Sequence, residues 1–247
     1  MELTDAHLHP SDPPERYADF ENLKAKLFCT SRPEEWSAVA GPRASMSYGV
    51  HPWYAGEWNP EAEERLSRIL EADGDANVGE IGLDSKRGVL KDQTAVFERQ
   101  LSLASEFGRS VTIHDIGCEK LVLDAVRGQG KGCRSVILHS FSSESYSKPF
   151  SDLGCYLSIG PRILSRSEMR LARLLRSIPE GLILLESDSP FLPPGFKGMG
   201  PFTERIAGIL DMGPEELSRI AASNLRRALH GRGHELPHRD PGRKGRR

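Results

Sequence analysis

Long apolar runs, a strong net charge and paired cysteines are all missing from this chain, and each absence narrows what it can be. No stretch approaches the roughly 20 apolar residues that a transmembrane helix needs. Met1 leads straight into a strand-like segment, without the basic and apolar regions of a secretory signal, so a cytoplasmic protein without membrane attachment is expected. The formal charge of the 247 residues is only -2, so attraction to a polyanion would have to come from a local patch. The four cysteines, Cys29, Cys118, Cys133 and Cys155, are scattered and form no CxxC pair. At this chain length they read as reduced thiols, which argues against a disulfide framework. No internal repeat or Pro/Ser-rich linker divides the chain, which predicts one domain over residues 1–230 and a polar, basic, unstructured tail over 231–247.

What is present is an alternation. Short β-rich runs at residues 2–6, 27–30, 44–50, 77–81, 110–113, 135–138, 155–159 and 182–186 are separated by helix-like segments, clearest at 60–72, 93–107, 167–177 and 214–229. In the second of these segments Val96, Phe97, Leu101, Ala104 and Phe107 line one face, while Glu98, Arg99 and Glu106 look outward. Eight strands in a βα alternation predict an α/β fold, a (β/α)8 TIM-type barrel, regular or distorted.

Six side chains with metal-ligating chemistry fall at or just beyond these runs: His7, His9, Glu80, His114, His139 and Asp188, with Asp5 just ahead of the first pair. A strand alternates its side chains with period two, so His7 and His9 point to the same side and can grip one cation together. In a TIM barrel the strand ends converge on one mouth, where active sites lie. Imidazole and carboxylate suit magnesium, manganese, zinc or similar divalent ions, and the absence of cysteine from the set argues against a closed structural zinc site. Singly, each residue has a plainer explanation. His114 or His139 can be a hydrogen-bonded core histidine, and Asp188 a turn carboxylate. Six in barrel order favour the cage, and hydrolysis is its expected purpose. Around it, Asp5 reads either as a group orienting a ligand histidine or as a solvent-facing carboxylate. Arg162 meets a phosphate or is a plain surface arginine. Trp53, Tyr54 and Trp58 stack on unpaired bases or cover the barrel mouth.

The motifs DAHLH, YGVHPW, VGEIGLD, QTAVFERQLSLA, VTIH, LHSFS and LESDSPFLPP, with Asn224 and Arg226 near the end, resemble the TatD-type metal-dependent deoxyribonucleases of the amidohydrolase superfamily, over about residues 5–229. The resemblance implies a barrel with two divalent ions, one held by His7, His9 and Asp188, the other by His114 and His139, with Glu80 bridging them. It also implies His51 in the substrate pocket. Glu80 and Asp188 would be the catalytic carboxylates around a water activated by two metals. The implied activity is 3′-5′ exonucleolytic hydrolysis of DNA; because a centre at a barrel mouth reaches a frayed end more easily than the middle of a duplex, single-stranded or frayed 3′ ends are the expected substrate, and a monomer the expected state. Two departures stand out: HDIG follows where the family usually carries a basic residue two places after His114, and HSFSS replaces the usual HCFSG. A dinuclear hydrolase of a small ester, amide or lactone is the alternative, and a catalytically inactive nucleic-acid-binding relative the third reading.

Overall fold

The computed structural model describes residues 1–10, 17–38 and 43–231, so all but the first residue of the expected tail lies outside the described residues. Eight strands form one sheet in chain order: β1 (Thr4–Leu8), β2 (Ala25–Cys29), β3 (Ala44–Tyr48), β4 (Asn77–Asp84), β5 (Ser110–Ile116), β6 (Ser135–Leu138), β7 (Tyr156–Ile159) and β8 (Ile183–Leu185). All seven pairings are parallel. Outside them lie α1 (Pro60–Ala72), α2 (Leu90–Glu106), α3 (Glu119–Gln129), α4 (Glu144–Ser151), α5 (Glu168–Arg176), α6 (Met199–Ile209) and α7 (Pro214–His230). This is the (β/α)8 barrel expected from the alternation, distorted in its first third. There, among the described residues, β1 and β2 are followed by 3-10 turns, at Phe20–Asn22 and Pro33–Ser37, and by no α-helix.

The barrel closes along a seam between β1 and the chain leaving β8. The Asp188 amide donates to the His7 carbonyl at 3.0 Å and the His9 amide to the Ser189 carbonyl at 2.7 Å. Below these bonds sits Asp5, with no exposed surface. Its carboxylate accepts from the Ser187 amide at 2.9 Å, the Ser187 hydroxyl at 2.5 Å, the Tyr17 hydroxyl at 2.6 Å and the His7 amide at 3.2 Å. Asp5 therefore neither bonds a histidine ring nor faces solvent, the two readings its position in the sequence had offered. It ties the barrel shut, and burial pushes its carboxyl up to about 6.

The opposite end is plugged. Ala6, Leu27, Cys29, Ile137, Tyr156 and Leu184 point inward from five strands and pack on Leu225, Ala228 and Leu229 of α7. The last carbonyls of α7, without intrahelical donors, are satisfied from the starts of β5 and β6: Ser110 and Ser135 hydroxyls donate to Ala228 O at 2.6 and 2.7 Å, and Arg134 to Leu229 O at 2.6 Å. Asn224 of the same helix donates to the Glu180 and Ile183 carbonyls at 2.7 Å each, fixing the entry to β8. Only the C-terminal mouth is left open for chemistry. Among the described residues no helix is long and apolar enough to cross a membrane.

Helix α2 places two active-face loops by polar contacts embedded in its apolar face. Phe97, Leu101 and Ala104 are buried there, and so are Gln93 and Gln100, seven residues apart and hence on the same side. Gln100 accepts from the Val50 amide at 2.8 Å and donates to the Val50 carbonyl at 3.1 Å, next to His51. Gln93 accepts from the Asp84 amide at 2.8 Å and donates to the Asp84 carbonyl at 3.2 Å, holding the end of β4.

Candidate metal centre

All six expected ligands meet at the open mouth, although not all at strand ends. His7 lies inside β1 and His9 one residue beyond it. Glu80 sits in the middle of β4, which runs three residues past the expected end at residue 81 and is buried throughout. Gly82 permits this: with φ of 143° it occupies a region open to glycine, and a Cβ there would collide with the His114 carbonyl. The β4–β5 pairing thereby brings Gly82 opposite His114, with Glu80 two residues before it. His114 likewise lies within β5, which continues to Ile116. His139 follows β6 and Asp188 follows β8, Asp188 with a positive φ of 61°.

The separations among these groups are those of a coordination shell. His7 Nε2 lies 3.3 Å from His9 Nε2 and 3.4 Å from Glu80 Oε2; His9 Nε2 lies 3.5 Å from both Glu80 Oε2 and Asp188 Oδ1. Tetrahedral ligands at about 2.0–2.1 Å from a cation are roughly 3.3–3.4 Å from one another. The other Glu80 oxygen faces a different set. Oε1 is 2.8 Å from His114 Nδ1, 3.4 Å from His51 Nε2 and 3.8 Å from His139 Nε2. Three groups have donor atoms all within 4.8 Å of one another: His7, His9 and Asp188; His7, Glu80 and His139; His51, Glu80 and His114. His7 Nδ1 and His114 Nε2 are buried without a hydrogen-bond partner among the described residues. Buried imidazole and carboxylate donors at these distances fit a divalent cation.

Electrostatics hold the carboxylates ionised. Burial works to raise the Glu80 pKa, but His51, His139 and His7 around it hold it well below the usual range. Asp188 is lowered too, with burial opposed by His139, His9 and His7. Among the imidazoles, burial lowers His7 and His51, whereas at His9 and His139 it is overcome by the carboxylates, which push His139 up to about 10.

One group was not singled out from the sequence. Glu186, with no exposed surface, has Oε1 2.8 Å from His139 Nδ1, and the same oxygen accepts from the Ser140 amide at 2.8 Å. This turns His139 Nε2 toward Glu80 and Asp188, 3.8 Å from each. The available signal was a second carboxylate, Glu186, two residues before Asp188 in the ESD triplet.

His51 and Arg162, expected at the substrate, also reach the mouth. His51 Nδ1 accepts from the Trp53 amide at 3.2 Å, so its neutral ring carries the proton on Nε2 and points a donor, not a lone pair, toward Glu80. Arg162 has Nε 3.8 Å from Asp188 Oδ2 and donates to the Phe191 carbonyl at 3.1 Å. Of the three aromatics after β3, Tyr54 and Trp58 are half-buried against the core, and Trp53 is exposed.

Known proteins were compared with this chain. The family model described as TatD related DNase matches residues 4–230. A Mycobacterium tuberculosis protein named as the metal-dependent hydrolase TatD is 29% identical over 224 residues, covering 84% of this chain and 83% of its own length. The 3′-5′ ssDNA/RNA exonuclease TatD of Erwinia billingiae is 28% identical over 225 residues, covering 84% and 82%. The crystal structure of YJJV, a TatD homologue from Escherichia coli, superposes with a TM-score of 0.78 at 21% identity over 92% of this chain and 97% of that one, a likeness of fold. With its closed barrel and cluster of buried imidazoles and carboxylates, the chain belongs to the TatD-related DNase family of metal-dependent hydrolases.

Proposed function

We propose that this protein removes nucleotides from the 3′ ends of single-stranded or frayed DNA by hydrolysing phosphodiester bonds with two divalent cations. The observation that carries the reading is the division of Glu80, whose Oε2 faces His7 and His9 while Oε1 faces His114, His51 and His139. A carboxylate placed in this way would be shared by two cations. His7, His9 and Asp188 would hold one ion, His114 and His139 the other. Bound there, the cations supply positive charge that polarises the phosphodiester and lowers the pKa of a water.

The chain's own groups supply the rest. Asp188, ionised and at the edge of the cage, accepts the proton of the attacking water at a carboxylate oxygen. His51, its Nε2 proton fixed by the Trp53 amide, donates to a non-bridging phosphate oxygen. Arg162, exposed beside Asp188, adds charge at the rim. The name carried by the Erwinia billingiae relative supports the substrate class.

The test is hydrolysis of a 5′-labelled oligonucleotide by metal-reconstituted protein, read on a denaturing gel beside closed circular DNA and a panel of small esters. Stepwise shortening of the single strand, faster than of blunt duplex and abolished by chelator, is the expected result. Equal cutting of circular DNA would overturn the exonuclease mode, and turnover of an ester alone would replace the nuclease with a small-molecule hydrolase.

A further inference from the structure

Only two aromatic side chains are exposed among the described residues, Trp53 and Phe191, at 39% and 49%. Chance would scatter them over the surface. Both instead stand at the open mouth with ring edges against the cage histidines. Trp53 lies 4.8 Å from the His51 ring and 6.3 Å from the His114 ring, both near perpendicular; Phe191 lies 5.3 Å from the His9 ring at 82°. The first comes from the loop after β3, the second from the loop after β8, so they approach the cage from different sides.

Each is anchored by polar contacts, and an arginine reaches each: one stacked on a face of the Trp53 ring, the other bonded to the Phe191 backbone. The Trp53 indole N–H donates to Asp84 at 2.7 Å, and the Arg87 guanidinium lies 3.8 Å over its ring. The Phe191 amide donates to the Asp188 carbonyl at 2.7 Å, and the Phe191 carbonyl accepts from Arg162. About half of the Phe191 surface is left in water, apolar area whose burial would otherwise stabilise the fold. A pinned aromatic face beside an arginine is instead the arrangement that holds a base and its phosphate.

We infer that Trp53 and Phe191 bracket the metal cage as two base-stacking platforms, which select strand ends whose bases are unpaired. This rests on the nuclease reading for its substrate. A base engaged in a duplex has its faces covered by neighbours and cannot enter the bracket, whereas a frayed terminus offers them at little cost.

Two measurements test it. The first compares kcat/KM on an oligonucleotide with that on one whose last two 3′ residues are abasic spacers, keeping every phosphodiester. The wild type should favour the base-bearing end by about tenfold, the ratio should fall toward one in Phe191→Ala through KM, and Phe191→Tyr should restore it. An unchanged ratio in Phe191→Ala would overturn the proposal. The second is quenching of tryptophan emission by short oligothymidylate, expected in the wild type and lost in Trp53→Phe. Absence of any quench overturns the bracket whether or not the protein cuts DNA. A Trp53-dependent quench in a protein that cleaves no phosphodiester leaves the bracket standing and refutes the nuclease.

Discussion

Glu186 Oε1 lies 2.8 Å from His139 Nδ1 in a site where neither side chain is more than 5% exposed. The carboxylate lies against the Nδ1 side of the ring, and Nε2 faces the cage. Replacing it with an amide keeps the shape and removes the charge. Glu186→Gln should therefore weaken divalent-cation binding about 10–100-fold, with little loss of thermal stability, when titrated calorimetrically. Unaltered affinity would remove Glu186 from any part in the centre.

Glu80 turns one oxygen to His7 and His9 and the other to His114, His51 and His139, so its loss should be felt at two ions. Glu80→Ala is expected to bind at most one cation per chain, weakly, and to lose at least about a thousandfold in hydrolysis, since a shared clamp on attacking and leaving oxygens is gone. His139→Ala should empty one site and leave the other titratable. Two ions at wild-type affinity in Glu80→Ala, measured by elemental analysis and calorimetry, would end the bridging assignment.

The seam offers a stability test independent of metal. Asp5→Ala orphans four donors, two hydroxyls and two amides, of which the amides cannot reorient. The expected cost is roughly 3–5 kcal/mol, or a fall of about 6–20 °C in Tm for a chain of this size. Ser187→Ala, which loses a single hydroxyl, should cost about 1 kcal/mol. Similar melting of both variants in chelator would show that Asp5 does not close the barrel.

The thiols give a pH dependence. Burial raises Cys133 to about 11 and Cys155 to about 12, and Cys29 and Cys118 are raised as well. Because the thiolate is the reactive form, native protein at pH 8 should react with a disulfide reagent at about a thousandth of full rate at Cys133, rising tenfold per pH unit toward 11. Stability runs the opposite way: above the ordinary pKa of 9.0 the unfolded chain loses protons that the folded one keeps, so stability declines from 9.0 upward. Rapid modification of native Cys133 at pH 8 would contradict the shift.

Much of this was readable in the chain, for identifiable reasons. The strand positions followed from short apolar runs, and the HxH spacing from strand period, because both are local. The extent of β4 was not, since glycines at 79 and 82 look like turn residues until their φ values and the adjacent β5 backbone are known. Helix α6 went unseen for a similar reason: Gly200, Pro201 and Gly208 depress its propensity, and burial against the barrel decides. The roles of Gln93, Gln100 and Glu186 depend on partners 9, 50 and 46 positions away. Amphipathic patterning treats such glutamines as flaws in an apolar face, when they are its clamps.

The bonds between Asp5 and Ser187 join positions 182 residues apart. At a translation rate of about 5–20 residues per second, some 10–40 s separate the synthesis of the two edges. For that interval the nascent chain carries His7 and His9 on an unpaired edge strand, able to meet a soft metal or a neighbouring polypeptide but not the carboxylate that completes their set. The set of His7, His9 and Asp188 is therefore complete only once the eighth strand has been made.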